Sequence, residues 1–188
     1  MSWKKYLDDD TLIIKGNFNA ISSGLLGGWK RVNFLFNHTV KNFDLKNPIE
    51  YYKKVAERYR LKNYFGLLTS VPMEKLSFKK YDCVSTFVTA GVKNPNEKIK
   101  IGTINIIIII DAKISDGGMI NAVITATEAK TKALIELGHN FTGTNTDAII
   151  VATTGGNYYE YAGPASKLGR KIWVCVNEAV KDSLSKWD

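Results

Sequence analysis

Five consecutive isoleucines at positions 106 to 110 leave this chain few choices of architecture. They belong to the segment KIGTINIIIIIDA, whose β-branched side chains predict a strand that is buried on both faces. Such a strand lies inside a sheet that helices cover. The run is far shorter than the roughly 18 apolar residues that indicate a membrane span. The sequence therefore predicts a layered domain without a membrane span.

The segments around this strand combine hairpin-like strands early in the chain with alternating strands and helices later. No repeat, linker or low-complexity tract divides residues 1–188, so we expect a single α+β domain with a mixed β-sheet layered with helices. The predicted strands are TLIIKGNFNAISS, as two short strands around Gly16, then VNFLFNHTV, YFGLLTSV, YDCVSTFVTAGV, the isoleucine strand and residues 148–153. The predicted helices begin at the Asn47 cap, at Ser115 or Asp116 and at Pro164, and the last two end at Gly138 and near Leu184.

Composition narrows the class of protein. A hydrophobic content of 45% is enough for a substantial core. The amino terminus lacks a signal-peptide pattern, so we expect a cytoplasmic protein. Cys83 and Cys175 lie in apolar surroundings that are typical of buried thiols rather than of a disulfide. His38 is expected to be a hydrogen-bonded core residue and His139 a turn residue, so no close-spaced zinc-ligand set is present.

The net charge of +8 raises the question of nucleic-acid binding. The lysines are scattered, most of them near glutamates or turns, and no nucleic-acid-binding motif accompanies them. This placement favours a solvated surface over a nucleic-acid interface.

Polar residues at the ends of apolar strands are the candidates for a functional site. Asp147, which precedes strand 148–153, suits a turn residue and a functional carboxylate equally well. Asn105 interrupts the most apolar strand, where its amide needs specific partners in either a structural network or a site. The other candidates at strand ends are Ser22, Ser23, Asn33, Asn37, Thr89, Thr103 and residues 144–146.

Two further patterns have ordinary structural interpretations. Asn121, Thr125, Glu128 and Lys132 share one helix face, which favours a solvated stripe with a Glu128–Lys132 pair. The GLLGG segment lacks the P-loop lysine and the GxGxxG pattern, so it is a weak phosphate signal. Its glycines also suit a tight turn that lets a bulky ligand approach the backbone.

In order along the chain, these segments resemble the adenosylcobinamide amidohydrolase family of corrinoid salvage enzymes. The matching segments span roughly residues 21–170 and are ISSGLLGGW, NFLFNHTV, VTAGVKNP, GTINIIIII, NAVITATEAKTKAL, GTNTDAIIVAT and YAGPASKLGR. The resemblance implies hydrolysis of the amide that joins a corrin propionyl side chain to aminopropanol. The products would be adenosylcobyric acid and 1-amino-2-propanol, and the acid would re-enter cobamide synthesis.

The resemblance and the chemistry together define the predicted site. Amide hydrolysis needs an activated nucleophile, donors for the oxyanion and a proton for the leaving amine. The catalytic candidates are Asp147 or Glu128 as the base that activates water, with Asn105, Thr146 or backbone amides as oxyanion donors. The substrate-binding candidates are Ser22, Ser23, Gly27, Gly28, Trp29, Asn37, Thr89, Thr103, Gly143, Thr144 and Tyr161. Tyr158, Tyr159 and Tyr161, with Trp29, are candidates for a wall or lid, or for ordinary surface packing.

Several alternatives stay open at this point. Ser22 or Ser23 is a rival, acylated nucleophile. A corrinoid-binding or carrier protein without turnover is the alternative function, and a nucleic-acid-binding module is a third. No cofactor is certain, a divalent metal held by carboxylates is compatible with the sequence, and the cobalt belongs to the substrate. A homo-oligomer is also compatible with it, and Asp147→Asn is expected to abolish turnover while leaving the melting temperature nearly unchanged.

Overall fold

A computed structural model describes residues 2–41, 47–92 and 102–187 of the chain. Within these residues, three helices accompany ten strands and one short 3-10 turn, Met73–Lys75. The helices are α1 (Pro48–Arg58), α2 (Asp116–Glu136) and α3 (Lys167–Ser185). The strands are β1 (Lys4–Leu7), β2 (Thr11–Ser22), β3 (Gly28–Thr39), β4 (Tyr64–Thr69), β5 (Ser77–Tyr81), β6 (Val84–Gly91), β7 (Thr103–Ile110), β8 (Lys113–Ile114), β9 (Ala148–Thr153) and β10 (Tyr158–Tyr159).

Eight of the strands form one mixed sheet in the order β4-β3-β2-β9-β7-β6-β5, with β1 paired to β2. The isoleucine strand β7 lies inside this sheet, parallel to β9 and antiparallel to β6. All its residues are buried, as the sequence predicts. The fold is therefore the expected α+β arrangement, and the small β8–β10 pair lies outside the main sheet.

Strand β2 is one continuous strand, so the prediction of two short strands around Gly16 is wrong. Its pairing with β3 shifts register between Lys15 and Phe18, which marks a bulge where two strands were expected. A bulge bends a strand without ending it. One edge of β2 is also shared, because β1 pairs with Leu12–Lys15 and β9 pairs with Asn19–Ser22.

The bent hairpin β2–β3 and strand β4 cover one face of the central strands. Ile107 and Ile109 of β7 share a core cluster with Leu35 of β3 and Phe65 of β4. The other face of β7 packs Ile106 and its even-numbered neighbours against α2 and α3. Helix α1 covers the outer side of β3 around Phe36. The sheet thus folds over itself, with one helical layer on each outer side.

The local predictions differ from the structure mainly at element ends. Helix α2 is capped by Ser115, whose hydroxyl accepts the Gly118 amide, and α3 begins after the Ser166 cap rather than at Pro164. Strands β1, β5, β8 and β10 are additional to those predicted. Both cysteines are free, Cys175 being buried and Cys83 half-buried. Among the described residues, no helix is long and apolar enough to cross a membrane.

Candidate active site

A cleft of about 520 Å³ opens where several of the predicted segments meet. Its lining combines the turn after β2, the end of β4, the start of β7 and the loop before β9. Five residues named as candidates from the sequence line it directly: Ser23, Thr103, Asn145, Thr146 and Asp147. Leu67, Leu68 and Thr69 of β4 form a wall that the sequence reasoning did not assign to the site.

Asp147 is held by four hydrogen-bond donors. Its Oδ1 accepts the Ile104 amide at 2.9 Å and the Thr144 hydroxyl at 2.6 Å. Its Oδ2 accepts the Thr144 amide at 3.1 Å and the ammonium of Lys130. A carboxylate offers about four lone-pair positions, so all of them are occupied. Asp147 therefore fixes the loop before β9 to β7 and α2, and this geometry favours a positioning role over that of a base.

Lys130 is a buried charged residue next to the Asp147 loop that the sequence did not single out. Its side chain is only 8% exposed and forms an ion pair with Asp147, whose side chain is 12% exposed. The spacing of the alanines in α2 could have identified it, because Lys130 lies on the helix face that also buries Ala126 and Ala133. A lysine at a core position needs a charged partner. The helix-face pattern instead pointed to Lys132, whose partner in the structure is Glu136 rather than the expected Glu128.

Asn105 and Asn37 form a buried polar network beside the cleft. Asn105 Nδ2 donates to Asn37 Oδ1 and to the Leu68 carbonyl, both at 2.9 Å, and Asn37 Nδ2 donates to Thr89 Oγ1. Because both acceptors face Nδ2, the orientation of the Asn105 amide is fixed. Its Oδ1 is buried and has no partner among the described residues. Asn105 is not among the residues that line the cleft, but it bonds to Leu68 of the cleft wall, and because its Nδ2 is fully engaged, its free atom is an acceptor rather than the predicted oxyanion donor.

The glycine-rich turn after β2 fixes the two candidate serines differently. Ser23 is tied to β9, since its Oγ accepts the Ile149 amide at 3.0 Å and lies 3.5 Å from the Ile149 carbonyl. Ser22 Oγ accepts the Gly24 amide at 3.1 Å, and no acceptor for its own proton occurs among the described residues. Gly27 is required here, because a Cβ would lie 2.3 Å from the Ser22 carbonyl oxygen.

The backbone of this turn is unusual at its tip. Leu26 has a φ of 51°, in the left-handed region that a leucine rarely adopts. The turn closes with the Gly27 amide on the Gly24 carbonyl at 3.0 Å. Strained backbone of this kind often occurs beside functional sites, and Leu25 of the same turn lines the cleft.

Other predicted residues lie in the loop before β9 or away from the cleft. Gly143 and Thr144 belong to that loop, and a Cβ on Gly143 would collide with the Asp147–Lys130 pair. Gly28 and Trp29 begin β3, and the Trp29 indole donates to Asn19. Tyr161 is 68% exposed in the loop before α3. The lid and wall candidates Trp29, Tyr158, Tyr159 and Tyr161 are all absent from the cleft lining.

The predicted stripe on α2 is not a uniformly solvated face. Thr125 is buried and donates to the Ala162 carbonyl at 2.7 Å. Glu128 is exposed on α2, away from the cleft lining. Of the residues on this helix, Lys130 is the one that reaches the Asp147 loop through a salt bridge.

Two predictions concern groups that the structure describes only in part. Within residues 2–41, 47–92 and 102–187, no three His, Cys, Asp or Glu side chains come together as a metal site. The last residues of the VTAGVKNP segment, 93–95, lie outside the described residues.

Comparison with known proteins agrees with this arrangement. The family model of adenosylcobinamide amidohydrolase matches residues 6–188. The adenosylcobinamide amidohydrolase of Methanosarcina mazei is 42% identical, over 95% of this chain and 96% of the relative. An uncharacterized protein of Methanocaldococcus jannaschii is 31% identical, over 86% of this chain and 80% of its own length. The adenosylcobinamide amidohydrolase of Halobacterium salinarum is 29% identical, over 89% of this chain and 80% of the relative.

The shared length exceeds the resemblance visible in the motifs alone, because it runs from β1 through α3. Segments that the family resemblance singled out, from the turn after β2 to the loop before β9, converge on one cleft. Sequence and structure together show that this chain belongs to the adenosylcobinamide amidohydrolase family.

Proposed function

We propose that this protein hydrolyses the amide bond of adenosylcobinamide, giving adenosylcobyric acid and 1-amino-2-propanol in cobinamide salvage. Membership of the family and the name of the Methanosarcina relative support this substrate. The observation that carries the proposal is the cleft itself, where four family-like segments meet and where Leu68 of the wall accepts a hydrogen bond from the buried Asn105. A corrinoid is larger than the ligands that such clefts enclose, so the amide-bearing arm enters while the ring stays at the rim.

The buried Asn105 oxygen suits the substrate because an amide N–H is a donor. A buried acceptor without a partner costs free energy, and a bound N–H removes that cost. Asn105 Oδ1 therefore accepts the N–H of the scissile amide and orients its carbonyl. The nitrogen that Asn105 holds becomes the leaving amine after the C–N bond breaks.

The reaction adds the oxygen of water to the amide carbon and transfers a proton to the leaving nitrogen. A carbonyl oxygen that becomes negative in this step needs N–H or O–H donors. Thr103 and Thr146 line the cleft, and their hydroxyls donate to the carbonyls of Thr146 and Gly102, respectively, each in the other's segment. The Leu25 amide, for which the described residues supply no acceptor, is a further donor in the strained turn.

Two routes to the nucleophile are compatible with these contacts. In the first, a bound water attacks directly. In the second, Ser22 attacks the amide carbon, its proton passes to the leaving nitrogen as the C–N bond breaks, and water then hydrolyses the acyl-enzyme; Ser23 is less suited because it is tied to Ile149. Denaturing mass spectrometry of a reaction stopped early separates the two routes. A corrinoid adduct that Ser22→Ala abolishes and Ser23→Ala retains supports the second route, and the absence of any adduct supports the first.

The test of the proposed function is incubation of the purified protein with adenosylcobinamide, followed by mass spectrometry of the products. We expect adenosylcobyric acid and aminopropanol in equal amounts. A parallel sample with a chelator determines whether turnover needs a divalent metal. Tight corrinoid binding without product would contradict the proposal and support the alternative, a carrier protein.

A further inference from the structure

A second cleft of about 620 Å³ lies at the bulge of β2, past the carboxyl end of β9. It shares no lining residue with the first cleft. Ala148 lines the first cleft and Thr153 the second. These two residues are five steps apart along β9, or roughly 17 Å at about 3.3 Å per residue. The crevice beyond the carboxyl end of a strand, where neighbouring strands diverge, is a common place for ligands in sheets of this kind.

The cations of this second cleft have no carboxylate partner. Arg31 and Lys113 line it, and neither forms a salt bridge within the part of the chain that the structure describes. Its lining contains no Asp or Glu. The neighbouring carboxylates, Asp111 and Glu160, accept hydrogen bonds from Thr154 and Tyr158. Among the described residues, therefore, neither cation is held in an ion pair, and the two carboxylates nearby lie outside the cleft lining.

In the asparagines of this cleft, several side-chain oxygens already accept hydrogen bonds, while some NH₂ groups have no acceptor within the described residues. Asn33 Nδ2 donates to Asn17 Oδ1 at 2.8 Å, and Asn63 Nδ2 donates to Asn33 Oδ1 at 3.3 Å. Asn19 Oδ1 accepts the Trp29 indole N–H, a group that can only donate, so the Asn19 amide has a fixed orientation. The NH₂ groups of Asn17 and Asn19 have no acceptor among the described residues.

From these contacts we infer that the second cleft binds a phosphate-bearing small molecule. Two cations without an ion pair and several amide donors line one cavity, and a phosphate supplies several acceptor oxygens with negative charge. Arg31 offers the planar guanidinium fork that matches two phosphate oxygens, and Lys113 provides a second charge. This site also gives part of the net charge of +8 a purpose that a cationic cobinamide substrate does not.

The experiment is calorimetric titration of the purified full chain with inorganic pyrophosphate and with inorganic phosphate, without corrinoid. The result is therefore independent of whether adenosylcobinamide is a substrate. The test variant is Arg31→Gln with Lys113→Gln. The matched control is Lys53→Gln with Lys80→Gln, which removes the same charge from exposed lysines outside the cleft.

We expect pyrophosphate to bind the wild type and the control equally, and the cleft variant about tenfold more weakly. All four side chains are exposed, so the melting temperatures should stay equal and report intact folding. Absence of binding to the wild type at low salt would overturn the inference. An equal loss in the control would also overturn it, since it would show non-specific charge, and so would tighter binding of citrate than of pyrophosphate.

Discussion

At the scale of single residues, the pairing of Asp147 with Lys130 connects a buried helix face to the cleft. Both side chains are nearly inaccessible, so removing one charge leaves the other buried without compensation. The sequence-based expectation that Asp147→Asn leaves the melting temperature unchanged therefore needs revision. An asparagine would place an NH₂ group or a weaker acceptor against the donors of Lys130 and Thr144.

We predict that Lys130→Met and Asp147→Asn each lower the free energy of unfolding by about 3–5 kcal/mol. The double variant should lose less than the sum, because neither charge is then left alone. Urea unfolding of the four proteins measures this coupling. Lys79→Met is the matched control, since its pair with Asp182 is more exposed and should contribute at most about 1 kcal/mol. Additive losses in the double variant would contradict a coupled pair.

A second residue-scale prediction separates the Asn105 oxygen from the network that supports it. Asn105→Leu removes the unpartnered acceptor, whereas Thr89→Val leaves it and takes away the acceptor of Asn37. Each variant leaves buried polar groups without a hydrogen-bond partner, so each should lose about 1–3 kcal/mol of stability. We expect kcat/KM for adenosylcobinamide to fall roughly tenfold to 100-fold further in Asn105→Leu, as for one lost buried hydrogen bond. Equal losses of kcat/KM would indicate a purely structural network.

The sequence predicted which of these residues matter better than what each one does. Asn105 stood out as a polar residue in an apolar strand, yet only the positions of Asn37 and Leu68 show which end of its amide is free. Asp147 was identified, but two of its four donors, the Ile104 amide and the Lys130 ammonium, come from segments that are distant in sequence. Lys130 was passed over because lysines on a helix are usually solvated.

At the scale of elements, α2 depends on two adjacent glycines with opposite surroundings. A Cβ on Gly118 would lie 2.5 Å from Ile114 Cγ2 and 2.7 Å from the Glu160 carbonyl oxygen. A Cβ on Gly117 would meet nothing within 4 Å. Gly118 lets the helix approach the loop before α3, whereas Gly117 only adds conformational freedom to the unfolded chain.

We predict opposite outcomes for alanine at these two positions. Gly118→Ala should lower the free energy of unfolding by about 1–3 kcal/mol through overpacking. Gly117→Ala should raise it by about 0.4–1 kcal/mol through the entropy of the unfolded chain. Thermal unfolding should show shifts of about 2–4 °C for each kcal/mol in a domain of this size. Shifts of the same sign would contradict the contacts described for Gly118.

Element types were predictable wherever side-chain periodicity was strong. The sequence predicted the isoleucine strand and β9 from their apolar runs, and both are fully buried. It predicted α1 from the Asn47 cap and the helical spacing of its apolar residues. Strand β5 was missed because only Ser77 of its five residues is buried and two of the others are lysines, so the sequence shows no apolar alternation. The bulge in β2 was mistaken for a break because Gly16 and Asn17 are common in turns, and only pairing with β3 keeps the strand continuous.

At the scale of the whole molecule, a polar cluster joins β2, β3 and α1. His38 Nδ1 lies 2.7 Å from the Thr11 hydroxyl, and its Nε2 lies 3.0 Å from the Tyr51 hydroxyl. Burial lowers the pKa of His38, although the nearby Asp10 carboxylate acts in the opposite direction. The prediction of a hydrogen-bonded core histidine is confirmed.

This cluster predicts a pH dependence of stability. The unfolded chain protonates His38 near pH 6.5, while the folded protein resists protonation, so below that pH the unfolded state binds more protons. The free energy of unfolding should therefore fall as the pH decreases from about 7 to 5. Urea unfolding across this range should show a shallower fall in His38→Asn, with His139→Asn as the control. Identical slopes in the wild type and His38→Asn would contradict the prediction.

The position of β9 affects how the protein folds during its synthesis on the ribosome. Strand β9 inserts between β2 and β7, so each of these keeps an open edge until β9 has been synthesised. The hairpin of β6 and β7 forms from neighbouring residues, yet the isoleucine strand waits through the whole of α2 for its second partner. Asp147 directly precedes β9, so the insertion that covers the most aggregation-prone strand also completes the cleft. A chain that stops before β9 therefore has neither the covering strand nor the complete cleft.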